Sequence, residues 1–206
     1  MLEFFIAALV IGIAPGPDNL FVLAQSATYG ARLGFCIILG LCTGIAIHTC
    51  LLVAGVSALI AASPTAFFVI QCLGAAYLLY LAYKSFGVKA GVVQMNGDSR
   101  SEPGMTSARS LYMRGIIMNL TNPKVILFVL SLIPPAVHLD RPIHPSLQMA
   151  IFGGEFILAT MIVFGSIALL AGTVKKFLLT SPKANRNLNW FSGAVFVFLA
   201  VALFMV

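Results

Sequence analysis

Residues 14–19 read APGPDN and interrupt an otherwise apolar run over roughly residues 2–24. A proline inside a membrane-spanning helix removes one backbone hydrogen bond and clashes with the preceding turn, so the freed carbonyls need protein or trapped water around them. Proline also suits the first position of a helix, and Gly16 is a suitable N-cap before Pro17. The motif therefore predicts a half-helix that starts at Pro17 inside the membrane, with Asp18 as the mid-span charge.

A second motif of this kind lies near the middle of the chain, where residues 119–124 read NLTNPK. Pro123 follows Pro17 by 106 positions, about half of the chain, and Lys124 is a mid-span charge as Asp18 is. Paired helices that are broken by glycine or proline mark the binding sites of many secondary transporters built from inverted repeats. The predicted fold is an all-α integral membrane protein with six transmembrane helices, arranged as two inverted three-helix repeats in which helices 1 and 4 are broken.

The composition excludes a soluble domain of this size. Hydrophobic residues make up 60% of the 206 residues and only 18 residues are charged, which is too few to cover so large an apolar surface in water. A membrane-spanning helix needs about 20 mainly apolar residues. The apolar stretches predict six spans: roughly 2–24, two within 33–83 that divide at Ser63-Pro64, 114–134, 147–174 and 188–206. Asp18, Lys124 and Glu155 are the mid-span charges that interrupt the first, fourth and fifth of them. The domain boundaries follow as a first repeat over 1–86, a cytoplasmic loop over 87–113 and a second repeat over 114–206.

The loop charges predict the orientation. The connections after the first, third and fifth spans hold ten Lys and Arg residues, whereas the other connections hold only Arg141. The positive-inside rule places the ten in the cytoplasm and both termini on the periplasmic or extracellular side. The first apolar run is longer than a signal-peptide core and is expected to be retained as a membrane helix. The charges mark topology and contacts with membrane lipids, not a nucleic-acid surface.

The two motifs supply the candidate substrate site. Asp18 and Lys124 occupy equivalent positions in the two repeats, so we expect them to approach one another near the midplane and to offer one anionic and one cationic anchor to a zwitterion. A buried Asp18–Lys124 ion pair that only holds the repeats together is the structural alternative. The predicted substrate-binding residues are the polar, glycine and proline residues of both motifs: Gly16, Pro17, Asp18, Asn19, Asn119, Asn122, Pro123 and Lys124.

Three titratable residues at membrane depth are candidates for proton coupling, namely Asp18, Glu155 and His48. Intramembrane ionisable groups are rare and commonly functional. For Glu155 an interfacial or structural carboxylate remains the alternative, and for His48 the alternative is a packing histidine.

The sequence predicts no cofactor and no metal. It contains no GxxxxGK[ST] loop for a nucleotide, and His138, Asp140 and His144 lack a convincing fourth ligand. Any uphill transport must therefore use an ion gradient. Residues 40–44 read GLCTG, a GxxxG pattern that predicts close helix packing within one subunit or between the subunits of a homo-oligomer.

Five stretches together carry a family resemblance: APGPDNL at 14–20, GIAIH at 44–48, GAAYL at 74–78, NLTNPK at 119–124, and residues 188–198 with Ser192-Gly193. With these motifs the chain resembles the LysE/RhtB family of amino-acid exporters. It is more similar to the homoserine/threonine-exporter branch than to the lysine-exporter branch. The resemblance implies a small six-helix protein of the bacterial inner membrane that exports amino acids or their derivatives by proton antiport.

The sequence interpretation is thus a non-enzymatic secondary exporter of small amino acids that works by alternating access. Asp18 is expected to bind the substrate ammonium or a proton, Lys124 the carboxylate, and Asn19 and Asn119 to orient the substrate. A membrane-embedded enzyme with intramembrane carboxylates is one alternative, although the chain lacks a paired-aspartate or serine–histidine pattern. An uncoupled channel is the other, although the intramembrane charges are few and mixed in sign.

Overall fold

The computed structural model describes residues 2–14, 16–62, 64–87, 107–138, 140–173 and 182–204. Within these ranges the chain is helical and contains no strand, so the all-α prediction is confirmed. The main helices are α1 (Leu2–Ile13), α2 (Pro17–Tyr29), α3 (Ala31–Ala62), α4 (Pro64–Gly87), α5 (Ala108–Thr121), α6 (Pro123–Leu132), α7 (Pro145–Leu169) and α8 (Pro182–Ala202).

Several of these helices have the length and hydropathy of membrane-spanning segments. In the described part of the chain, Ala31–Gly55 of α3 and Pro145–Leu169 are each long and apolar enough to cross one. The bent pairs α1 with α2 and α5 with α6 meet the same criterion when each pair is taken as one segment. These four segments correspond to the first, second, fourth and fifth predicted spans. The third and sixth predicted spans fall on α4 and α8, and α8 contains the shorter apolar segment Arg186–Ala202.

Both proline motifs divide a helix where the sequence predicts it. α2 meets α1 at 63° and α6 meets α5 at 56°. Pro17 and Pro123 open the second half-helices, with Gly16 and Asn122 as their N-caps. Because proline lacks an N–H and its ring fits only the first turn, the backbone ends one helix and begins another at each motif.

Parts of the sequence interpretation fall outside the described residues. The predicted loop over 87–113 begins where α4 ends, at Gly87. Its last residues are helical, because α5 begins at Ala108. Ser107 caps α5 by accepting a hydrogen bond from the Ser110 amide at 3.1 Å. The residues named above that lie outside the description are Pro15, Ser63, 88–106, Val174 and Val206.

The GxxxG pattern packs α3 against α5 of the same chain. A Cβ on Gly40 would lie against the Tyr112 carbonyl oxygen and 2.9 Å from Gly115 Cα. A Cβ on Gly44 would lie 2.6 Å from Asn119 Oδ1. Without side chains at these two positions the helices approach closely, and this approach fixes the position of Asn119.

Two buried apolar clusters meet along α3 and α7. The first includes Ile45 of α3 and Phe156 of α7, and the second includes Leu41 and Phe164 of the same two helices. Leu41 and Ile45 are one turn apart along α3, and Phe156 and Phe164 are two turns apart along α7, so the two clusters are neighbours. The candidate site lies at this junction.

Candidate functional site

Asp18 lies in the first turn of α2, directly after Pro17. Gly16 has extended backbone as the N-cap of this helix, and the free N–H groups of a helix start favour an anion beside them. The side chain of Asp18 is only 4% exposed. The proline break thus places a carboxylate inside the protein at the start of a half-helix.

Asn122 connects the two proline motifs. Its Oδ1 accepts a hydrogen bond from the Lys124 amide at 3.0 Å, which caps α6. Its Nδ2 donates a hydrogen bond of 2.7 Å to Asp18 Oδ2. One amide side chain therefore both starts α6 and holds the carboxylate of α2, so the motifs meet in space.

Lys124 reaches across to the end of α1. Its Nζ donates to the Ala14 carbonyl at 3.1 Å and to the Ile11 carbonyl at 3.2 Å. The last carbonyls of a helix have no partner within it and carry partial negative charge, so an ammonium group stabilises them. A Cβ on Gly16 would lie 3.2 Å from this Nζ, and glycine leaves room for the ammonium.

Asp18 and Lys124 therefore share a site without a direct ion pair between them. Among the described residues, Asp18 bonds to Asn122, and Lys124 bonds to backbone carbonyls. Both side chains line the same cavity. The structural alternative of a resting ion pair does not describe this arrangement.

Three buried oxygens of the motifs have no hydrogen-bond donor in the described part of the chain: Asp18 Oδ1, Asn19 Oδ1 and Asn119 Oδ1. Asn19 is held by its amide, which donates to the Gly12 carbonyl at 2.7 Å. Buried acceptors that lack a donor are rare in proteins, and each calls for an explanation such as a bound ligand or water. Asp18 and Asn119 also line the cavity, so its polar end offers acceptors to a donor-rich group.

The cavity between the helices has a volume of about 20 Å³, room for about one water molecule. Its polar lining consists of Asp18, Asn119, Lys124 and Thr160. Its other walls are Ile11, Gly12, Leu41, Ile45, Val125, Phe156 and Phe164. The lining therefore combines the charged side chains of the helix breaks with walls that are mostly apolar.

The sequence reasoning missed the α7 and α3 walls. Phe156, Thr160 and Phe164 recur every four residues along α7, and Leu41 and Ile45 do so along α3. Residues at this spacing share one helix face. The spacing is present in the sequence, but nothing there distinguishes this face from the others of two helices that are apolar all round.

The other proton-coupling candidates lie away from the cavity lining. Glu155 is half-buried in α7, and its Oε2 has no partner among the described residues. His48 approaches the Asn119 carbonyl oxygen, at 3.5 Å from Nε2, so it contacts a residue of the site without lining it. In the described ranges no three His, Cys, Asp or Glu side chains are grouped to hold a metal.

Comparisons with known proteins identify the family to which the chain is similar. Residues 9–206 match the family model of the LysE type translocator. An uncharacterized membrane protein of Bacillus subtilis (strain 168) is 32% identical over 180 residues, which are 85% of this chain and 84% of its own length. A homoserine/homoserine lactone efflux protein of Salmonella typhi is 30% identical over 201 residues, 97% of this chain and 93% of its own length. No solved structure matches.

A further relative is a membrane protein of Vibrio cholerae, 29% identical over 196 residues that are 95% of this chain and 92% of its own length. Relatives of this kind and the apolar helices together identify a multi-pass membrane protein.

Proposed function

Because the chain belongs to the LysE type translocator family, we propose that it is a secondary active exporter of small amino acids or their derivatives in the bacterial inner membrane. The observation that carries the proposal is the buried constellation at the two helix breaks, where Asp18, Asn119 and Lys124 line one cavity. The relative from Salmonella typhi, named as a homoserine/homoserine lactone efflux protein, supports the choice of substrate class.

The constellation suits a zwitterion. Within the described ranges, Asp18 Oδ1 and Asn119 Oδ1 are buried acceptors without a donor, and a substrate ammonium brings three N–H donors and a positive charge. Lys124 uses two of its three N–H donors on backbone carbonyls and has one left for a carboxylate. Asn19, Asn122 and the half-helix starts at Gly16-Pro17 and Pro123 hold these groups in place.

Asp18 also provides a route to proton antiport. A carboxylate that binds an ammonium cannot at the same time hold a proton on the same oxygen, so the two cations exclude one another. If the substrate is bound from the cytoplasm and replaced by a proton from outside, export is driven by the proton gradient. A potential of 100 mV adds about 2.3 kcal/mol per charge moved. Glu155 and His48 are the further candidates along the proton path.

Four of the helix contacts in the described chain support alternating access between inverted repeats, whereas the contacts α4·α6 and α1·α8 have no counterpart of comparable extent. A two-fold axis that exchanged the repeats would exchange α3 with α7 and α5 with α1, and the pairs α3·α5 and α7·α1 both pack together. It would likewise exchange α2·α7 with α6·α3, and both of these pairs also pack. The cavity of about 20 Å³ must widen to admit an amino acid, which a rocking of one repeat on the other would achieve.

The orientation follows from the charge bias of the connections. We place the 87–113 loop in the cytoplasm and both termini on the periplasmic side, because ten Lys and Arg residues lie in the connections on the loop side against one on the other.

Export in living cells tests the function. Cells that express the chain should survive inhibitory concentrations of its amino-acid substrate and should hold less of it inside. Asp18→Asn keeps the size of the side chain and removes its charge, so it should abolish protection. Asp140→Asn, in an exposed loop, is the matched control and should protect as the wild type does. Equal protection by Asp18→Asn would contradict the proposal.

A further inference from the structure

The cavity face of α7 carries a single polar group. Phe156, Thr160 and Phe164 line the cavity at intervals of four residues, and such a spacing puts them on one side of the helix. Thr160 is only 4% exposed. The face therefore presents one hydroxyl between two phenyl rings.

The Thr160 hydroxyl differs from the two threonine hydroxyls of α3. Thr43 and Thr49 of α3 donate their hydroxyl hydrogens to the carbonyls four residues earlier, both at 2.9 Å. Among the described residues Thr160 has no such partner. Because Thr160 lines the cavity and its hydroxyl donates no hydrogen bond within the described chain, the hydroxyl is free to bond a ligand atom there.

The charges of the lining limit the ligand. Asp18 is the only anion among the lining residues and Lys124 the only cation, so an amino acid's ammonium and carboxylate use both. A charged side chain would require a third partner. Burial of an unpaired charge costs several kcal/mol. Apart from the uncharged polar side chains of Asn119 and Thr160, the remaining walls, which include Leu41 and Ile45, are apolar.

We propose that this site takes amino acids with uncharged side chains and that Thr160 is a specificity-determining residue, which hydrogen-bonds a polar atom of the substrate side chain. The inference rests on the exporter function proposed above. It adds to that function the class of substrate side chain and the residue that recognises this side chain.

Isosteric pairs of substrates test the inference. Export by the full-length protein would be measured in proteoliposomes for threonine against valine, serine against alanine, and homoserine against 2-aminobutyrate. The wild type should prefer the hydroxyl member of at least one pair. Thr160→Val replaces the hydroxyl by a methyl group of similar size. It should lower that preference about 3- to 10-fold, which corresponds to the net free energy of one neutral hydrogen bond. Thr160→Ser keeps the hydroxyl and should retain the preference.

The outcomes separate this inference from the function beneath it. An unchanged preference in a Thr160→Val protein that still exports would overturn the role of Thr160. A wild type that exports lysine or arginine faster than every uncharged substrate would overturn the side-chain class and leave the exporter function standing. A wild type that exports no amino acid would instead contradict the proposed function.

Discussion

Asn122 Nδ2 lies 2.7 Å from Asp18 Oδ2, although the two residues are 104 positions apart in the chain. The same side chain caps α6 through its oxygen. One residue thus ties the start of a half-helix in the second half of the chain to the buried carboxylate in the first half.

This double role predicts a graded loss of stability. Asn122→Ala removes the cap, worth about 1 kcal/mol, and the hydrogen bond to a charged group, worth about 1.5–3 kcal/mol. Asn122→Ser retains a capping oxygen and loses only the bond to Asp18. Denaturation of the purified protein in detergent should rank the wild type above Asn122→Ser and Asn122→Ser above Asn122→Ala. Equal stability of the two variants would show that the cap contributes nothing.

The glycines between α3 and α5 give a second prediction. Gly40→Ala would force its Cβ against backbone of α5, so the helices must separate, at about 1–3 kcal/mol for an overpacked contact. Gly154→Ala is the matched control, because a Cβ there meets no described atom within 4 Å, and alanine favours the helix. The same denaturation measurement should show a loss for Gly40→Ala and no loss for Gly154→Ala. Equal effects would mean that α3 and α5 do not pack closely at this glycine.

The charge pair predicts a separation between folding and export. Lys124→Met leaves the Ile11 and Ala14 carbonyls without their donor, at about 1–3 kcal/mol for each unsatisfied buried group. It also leaves Asp18 without the cation that shares its cavity, so the yield of folded protein should fall. The double variant Asp18→Asn with Lys124→Met still lacks that donor but buries neither charge, so expression should recover in part while export stays absent. Lys84→Met, at an exposed position, controls for loss of a lysine. Recovery of export in the double variant would assign the pair a purely structural role.

The helix breaks were predictable from the sequence, whereas the partners of the charges were not. Pro17 and Pro123 determine where a helix starts through local sterics. The family resemblance carried by the same motifs is confirmed across residues 9–206. The bonds from Lys124 to the end of α1 depend instead on how distant helices pack, and no local rule contains that information.

Thr160 and Glu155 illustrate how the site predicted from the sequence differs from the cavity in the structure. A charge at membrane depth stands out in a sequence, so Glu155 was a candidate, but it is not among the residues that line the cavity. A single threonine in an apolar helix is ordinary. Only the fold shows that Thr160 faces the cavity with Asp18 and Lys124.

The topology gives a fourth prediction. A single cysteine at position 101, in a variant whose four native cysteines are replaced, should resist an impermeant thiol reagent applied to intact cells and react after the cells are opened. The positive-inside rule is the physical reason. A cysteine added after Val206 should react from outside. Labelling of position 101 in intact cells would reverse the orientation.

The most direct test of the central claim is to measure substrate export in proteoliposomes under an imposed proton gradient. With the substrate that the growth assay identifies, an imposed gradient should drive uphill movement by the wild type and no movement by Asp18→Asn, while Asp140→Asn behaves as the wild type. Uphill transport that persists with all ion gradients collapsed, or a proton-driven rate in Asp18→Asn equal to that of the wild type, would contradict the account.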